Sequence, residues 1–154
     1  MINLDDIEPD HVFIGVIDSF DMRGWSYEFD TPSSHFFSGE YDGNEALIKL
    51  YKKAFFETDF GKRVYEKEKN GLRLSTSLHG FVSCLGEGRV NDVPYFVLSR
   101  FEGRNVAELL DERKKLNPNT SLPSLVELVE IVGGLHEKDH VHVDLKPSNF
   151  FFTY

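Results

Sequence analysis

A single cysteine, Cys84, in 154 residues excludes an internal disulfide and points to a reducing compartment. Beside Val82 and Leu85 it reads as core filler rather than as a nucleophile. No apolar run approaches the ~20 residues of a membrane helix. The start, Met1-Ile2-Asn3-Leu4-Asp5-Asp6, is acidic and lacks the basic and then apolar pattern of a secretory leader. These absences give the expectation of a soluble, cytoplasmic protein with no membrane partner. Positive charge is scarce too: 17 Lys and Arg stand against 26 Asp and Glu, a formal net charge of −9. Phosphate backbones are repelled by that balance, so nucleic acid is not an expected partner, while a local basic pocket stays open. Internal repeats and low-complexity tracts are also missing. The length suits about one domain with a core of its own.

Residues 1 to about 20 mix apolar and acidic positions without a recognisable element and read as an N-terminal extension. From Trp25 the pattern changes to short alternating runs, Trp25 to Asp30, His35 to Tyr41 and Glu45 to Tyr51. They are separated by Thr31-Pro32-Ser33-Ser34 and by Asp42-Gly43-Asn44. An Asp-Gly step between two such runs is a hairpin signal, because glycine tolerates the positive φ of a tight turn. An antiparallel meander is expected here. A charged stretch from Thr58 to about Lys69 carries Phe60, Val64 and Tyr65 at helical spacing, and Phe81 to Leu85 and Tyr95 to Phe101 read as two more strands. The second half reads as helical. Asn105 with Glu108, and Ser124 with Glu127, have the spacing of a capping box. The second box opens a helix with Leu125, Leu128, Val129, Val132 and Leu135 on one face, and Gly133-Gly134 near its end would permit close packing.

The octet His142-Val143-Asp144-Leu145-Lys146-Pro147-Ser148-Asn149 places an acid, a base and an amide at fixed offsets in one short segment. Asp, Pro, Ser and Asn are all common in turns, so a plain surface turn after a helix is the alternative reading. All but one of the eight positions, Val143, resemble the catalytic loop of the eukaryotic-like Ser/Thr protein kinase family, H-R-D-L-K-P-x-N. The order of strands, one helix, two strands and then helices resembles that family from about residue 25 to 154. The resemblance implies an α+β fold: an antiparallel five-stranded small lobe with one helix, then the first helices of a helical large lobe. It divides the chain into an extension (1–20), a small lobe with hinge (21–101) and a partial large lobe (102–154).

The same resemblance implies ATP and magnesium as cofactors and a protein substrate or protein partner. Asp144 would accept the proton of the attacking hydroxyl, Lys146 would lie near the γ-phosphate, and Asn149 would hold magnesium. Ala46-Leu47-Ile48-Lys49 resembles the V-A-I-K motif, which puts Lys49 on the inner phosphates; a solvated lysine is the bland alternative. Glu68 is the expected partner of Lys49, since Tyr65 and Leu72 would share its inward face, with Glu66 as the second choice. A solvated helix face among Lys62, Arg63, Lys67 and Lys69 is the competing reading. Tyr95 to Gly103 resembles the fifth strand and hinge, so Leu98 would line the back of the adenine pocket and the backbone of Ser99 and Phe101 would face the base.

Departures from the family pattern matter as much. Phe29 to Ser34 stands where the glycine-rich loop would be, with no glycine, and Pro32 removes an N–H donor. Leu47 replaces a small roof residue, and Val143 an arginine. After the octet the chain runs only to Thr153-Tyr154, before a metal-binding Asp-Phe-Gly would be due. The expectation is a phosphotransferase that is incomplete as this chain, with weak ATP binding; the alternative is an inactive pseudokinase acting as a binding or regulatory module. A small-molecule kinase of the aminoglycoside type is a third and more distant reading. Phe150-Phe151-Phe152 would form an unpaired edge, which with the apolar helix face suggests self-association through the C-terminal half.

Overall fold

The computed structural model describes residues 23–101, 103–113, 117–142 and 144–152. The extension at 1–20, Val143 and Thr153-Tyr154 lie outside the described residues. Two compact units are present. One holds the described residues up to Thr76 together with Val82–Arg100; the other holds Ser77–Phe81 and the described residues from Phe101 onward.

The first unit is a five-stranded antiparallel sheet in the order β1-β2-β3-β5-β4. Its strands are β1 (Arg23–Asp30), β2 (Ser34–Tyr41), β3 (Asn44–Tyr51), β4 (Cys84–Val90) and β5 (Val93–Ser99). Alternation sets the register. Phe37, Ile48 and Val97 pair across three strands on one face, while Phe36, Lys49 and Phe96 pair on the other. Asp42 and Gly43 both take positive φ, 51° and 76°, as the tight turn between β2 and β3 requires. Asn91 and Asp92 do the same at 47° and 67° between β4 and β5, so a second hairpin forms without a glycine. That hairpin displaces the expected strand at Phe81 to Leu85: Phe81 lies before the strand, which begins at Cys84.

Two helices follow β3, a short α1 (Lys53–Phe56) and the long α2 (Asp59–Ser75). The Thr58 hydroxyl caps α2 by accepting from the Gly61 N–H at 2.9 Å, and Asp59 in the first turn complements the helix dipole. Tyr65 anchors this helix on the sheet. Its ring stacks on Phe96 with centroids 5.4 Å apart and meets Tyr51 edge-on at 5.7 Å. Phe60, expected on the same apolar face, is instead exposed in the first turn, where it meets the Phe55 ring edge-on at 6.0 Å.

The second unit contains β6 (Arg104–Asn105), α3 (Val106–Arg113), α4 (Pro118–His136), a 3-10 turn (Pro147–Asn149) and β7 (Phe151–Phe152). Asn105 caps α3: its side-chain oxygen accepts from the Glu108 N–H at 2.9 Å, and its amide donates to the Glu108 carboxylate at 2.7 Å. The expected start of α4 at Ser124 is corrected. Asn117 is its N-cap, accepting from the Asn119 N–H at 3.0 Å, and Pro118 takes the first helical position. Pro123 is carried inside the helix as its sixth residue, where the ring removes one intrahelical N–H donor. The buried face is corrected as well. Ser121 and Leu135 are buried, whereas Leu125 and Val129 are exposed along with Leu122 and Val126. Close packing falls at Gly80, where an added Cβ would strike Ile131, and not at Gly133, which has open space. Phe151-Phe152 is no unpaired edge: β7 pairs antiparallel with β6, and the Val106 N–H donates to the Phe150 carbonyl at 2.9 Å.

Among the described residues no helix is long and apolar enough to cross a membrane. The order of sheet, helix and following helices is the α+β arrangement that the resemblance implies.

Because Tyr65 is the main apolar contact of α2 with Phe96 and Tyr51, Tyr65→Ala is expected to lower unfolding free energy by about 3–5 kcal/mol in urea denaturation. Tyr65→Phe keeps the ring contacts and should cost far less. Similar losses for the two variants would contradict ring packing as the anchor.

Candidate functional site

Lys49 lies on the central strand of the sheet, and its side chain is only 16% exposed, so it is not a solvated edge lysine. Its Nζ donates to both carboxylate oxygens of Glu68, each at 2.6 Å. The Tyr51 hydroxyl donates to the same carboxylate. Burial, with the neighbouring Glu68 charge next, pushes the Tyr51 phenol far above its ordinary range, so it stays protonated and acts as a donor. Lys49 also sits near the faces of Tyr51 and Phe36, 5.1 and 5.9 Å from their centroids. Helical spacing explains why Glu68 is the partner: Tyr65 is buried and Leu72 packs on the core, so Glu68 is carried inward between them, while Glu66 is exposed. Tyr51 was not singled out from the sequence. Its place two residues after Lys49, on the same strand face, is the signal that could have found it.

The tripeptide Asp59-Phe60-Gly61 occurs in this unit, but as the first turn of α2. An added Cβ at Gly61 would strike the Phe55 carbonyl, so this glycine serves the junction of the two helices.

The turn from Thr31 to Ser34 uses its polar groups on itself. Thr31 N–H donates to the Ser34 carbonyl at 2.9 Å, Ser34 N–H to the Thr31 hydroxyl at 3.1 Å, and Lys52 N–H to the Ser33 carbonyl at 2.8 Å. Asp30 at its base holds His35 at 2.8 Å and Lys52 at 3.2 Å. Partial burial alone would raise this carboxyl, but the hydrogen bonds to His35 and Lys52 hold it below the ordinary carboxylate range. Two cavities of this unit measure about 240 and 330 Å³; Asp30, His35 and Lys52 line the first, Lys69, Cys84 and Phe96 the second. Lys49 lines neither. Leu98 is buried and pairs in register with Leu47. The Ser99 N–H is taken by the Ser83 carbonyl at 2.8 Å, and the Ser99 hydroxyl accepts from the Ser83 N–H at 2.9 Å.

Phe101, half-buried, and the residues of the octet belong to the second unit. There Asp144 is the hub. Lys146 Nζ lies 2.8 Å from its carboxylate, and the Asn149 amide donates to its backbone carbonyl at 2.8 Å and to its side chain at 3.0 Å. The 3-10 turn from Pro147 brings Asn149 back, closed by its N–H on the Lys146 carbonyl at 2.9 Å. Pro147 cannot extend a strand ladder and has φ fixed for such a turn, which is why five residues suffice to return the amide to the acid. The His142 ring lies against Phe81, with centroids 6.4 Å apart, and its Nδ1 accepts from the Asp144 N–H at 3.3 Å. The hydrogen bonds from Lys146 and then Asn149 hold the exposed Asp144 carboxyl below its usual range.

A hard cation such as magnesium takes oxygen ligands. With the Asn149 nitrogen committed to Asp144, its amide oxygen is the atom left for such an ion, and the donor type fits. Among the described residues no group of three or more His, Cys, Asp or Glu forms a metal cluster.

No family model matches the chain. Individual relatives do. The chain is 28% identical over 116 residues to the probable serine/threonine-protein kinase PknB of Corynebacterium glutamicum, covering 72% of this chain and 18% of that protein. It is 25% identical over 124 residues to CDPK-related kinase 8 of Arabidopsis thaliana, covering 80% of this chain and 20% of the relative. With the mitosis inhibitor protein kinase SWE1 of Candida albicans it shares 23% identity across 96% of this chain and 14% of the relative. The chain thus spans about a fifth or less of the length of these relatives.

Since Lys146 is the largest cause of the lowered Asp144 midpoint, carboxyl-detected NMR titration should place Asp144 below an ordinary aspartate, and Lys146→Met should bring it back up. A lowered carboxyl favours folding above the ordinary range, and that contribution fades as pH falls through the lowered midpoint. An Asp144 midpoint unchanged by Lys146→Met would mean that the pair does not persist in solution.

Proposed function

We propose that this chain, protein-kinase-like in sequence over most of its length and in fold, supplies phosphate-handling and proton-accepting parts of an ATP-dependent transfer of phosphoryl to a Ser or Thr hydroxyl of a protein. The observation that carries the reading is the Asp144, Lys146 and Asn149 cluster. An exposed carboxylate kept ionised can hold a hydroxyl and take its proton as that oxygen attacks phosphorus and the bond to the departing diphosphate breaks. Lys146 is placed beside this acceptor, where negative charge on the transferring group would need a cation. Lys49, fixed by Glu68, would meet the inner phosphates, and Leu98 with the backbone of Ser99 and Phe101 would meet the base. Magnesium, when bound, neutralises charge on the phosphates, with the Asn149 oxygen as this chain's contribution to holding it.

A second reading, a pseudokinase that binds a protein partner, is favoured by the Thr31–Ser34 turn. Its amides at Thr31 and Ser34 are already hydrogen-bonded, and Pro32 has none, so the turn offers little to a phosphate. The exposed Leu122, Leu125, Val126 and Val129 on α4 give such a module an apolar surface, and self-association through it belongs to this reading.

A magnesium-ATP transfer assay with a generic protein acceptor separates the two. Under the first reading transfer is detectable despite weak nucleotide affinity, Asp144→Asn reduces it at least about a hundredfold with little change in melting temperature, and Lys49→Met also weakens it. A signal that survives both substitutions belongs to a contaminant. No transfer and no calorimetric ATP binding would favour the binding module.

A further inference from the structure

On the sheet face that carries Lys49, the neighbouring positions are filled by side chains that pair with one another. Phe29 stacks on Phe36 at 4.6 Å with planes 17° apart, and Lys49 Nζ lies 5.9 Å from the Phe36 centroid. Next along the same face, Ser38 pairs in register with Leu47, and Leu47 with the buried Leu98. The register of β1 on β2 breaks between Tyr27 and Phe29, and the residue in that irregularity is Glu28. Irregularities of this kind re-aim a side chain. Here the Glu28 carboxylate accepts from the Ser38 hydroxyl and lies 3.1 Å from the guanidinium of Arg100, just past the end of β5. Arg100 also reaches Glu45 on β3 at 3.9 Å, and the Ser26 and Ser38 hydroxyls are 3.3 Å apart. A polar bridge thus runs from β1 over β2 and β3 to the segment after β5.

We propose that the Glu28–Arg100 ion pair, braced by Ser38, is a built-in plug that keeps a nucleotide base off the sheet face beside Lys49. The identity of the ligand rests on the phosphotransferase reading above. A flat base needs an apolar slot with few polar groups. Seating it against Leu47 and Leu98 would require this carboxylate and guanidinium either to part or to be buried together, and burying charges is costly. The pair is partly exposed, so it is weak enough to open, which makes it a plug rather than a wall. Glu28, Arg100 and Glu45 were not among the residues that the sequence pattern singled out.

Calorimetric titration of the chain with adenosine, and separately with ADP and magnesium, tests the proposal. Adenosine carries no phosphate and reads the base contact alone, while ADP compared with and without Lys49→Met reads the phosphate contact. Arg100→Ala and Glu28→Ala should each bind adenosine roughly twofold to fivefold more tightly than the natural chain. The charge-exchanged variant, Glu28→Arg with Arg100→Glu, should fall back toward the weak binding of the natural chain. Glu28→Gln, which keeps size and the contact with Ser38 while removing the charge, gives the same gain should an alanine variant fail to fold. Unimproved adenosine binding together with Lys49-dependent ADP binding would overturn the plug and leave the phosphotransferase reading standing. Absence of ADP binding in every variant would remove that reading, and the plug with it.

Discussion

A cation placed between aromatic rings inside a sheet must be paired, and Lys49 meets that constraint through Glu68. The pair ties the central strand to α2. Since Tyr51 donates to the same carboxylate, and its ring also meets Tyr65, one small cluster fixes both the position of the helix along the sheet and its rotation about its axis. Apolar contact at Tyr65 alone would tolerate some rotation; two charge-assisted hydrogen bonds three residues further on do not. The placement of the Lys49–Glu68 pair therefore depends on the packing of α2.

The octet is built differently. Its acid, cation and amide lie within one short segment, and Pro147 with the 3-10 turn is enough to bring Asn149 back onto Asp144. Such an arrangement depends on local backbone geometry and on the pairing of β6 with β7 that supports the exit of the chain. The Lys49–Glu68 pair and the octet thus have independent origins. Asp144 is held by its sequence neighbours, and Lys49 by a helix that follows it in the chain.

That difference explains what could be read in advance. The β2–β3 hairpin was legible because Asp42-Gly43 carries the required backbone freedom in its residue types, and Glu68 because helical spacing from Tyr65 and Leu72 decides its direction. The β4–β5 hairpin was not, since Asn91-Asp92 adopts positive φ without a glycine to mark it. At α4 two prolines and a serine competed for the start. Asn117 with Pro118 supplies the cap, and Ser121 and Leu135, rather than Leu125 and Val129, are buried. Glu28 and Arg100 escaped because their pairing depends on an irregularity in β1, which leaves no periodic trace. Relatives named as protein kinases support the family likeness, while the roles of individual residues rest on the geometry.

The most direct test of this account is a double-mutant cycle on the bridge between sheet and helix. Unfolding free energies of the natural chain, Lys49→Met, Glu68→Gln and the double variant would be measured in urea. If the pair fixes α2 on the sheet, each single change strands a partner and the cycle shows a coupling of about 1–3 kcal/mol. Additive effects of the two substitutions, within about 0.3 kcal/mol, would mean that Lys49 and Glu68 do not hold each other and that α2 is placed by apolar packing alone.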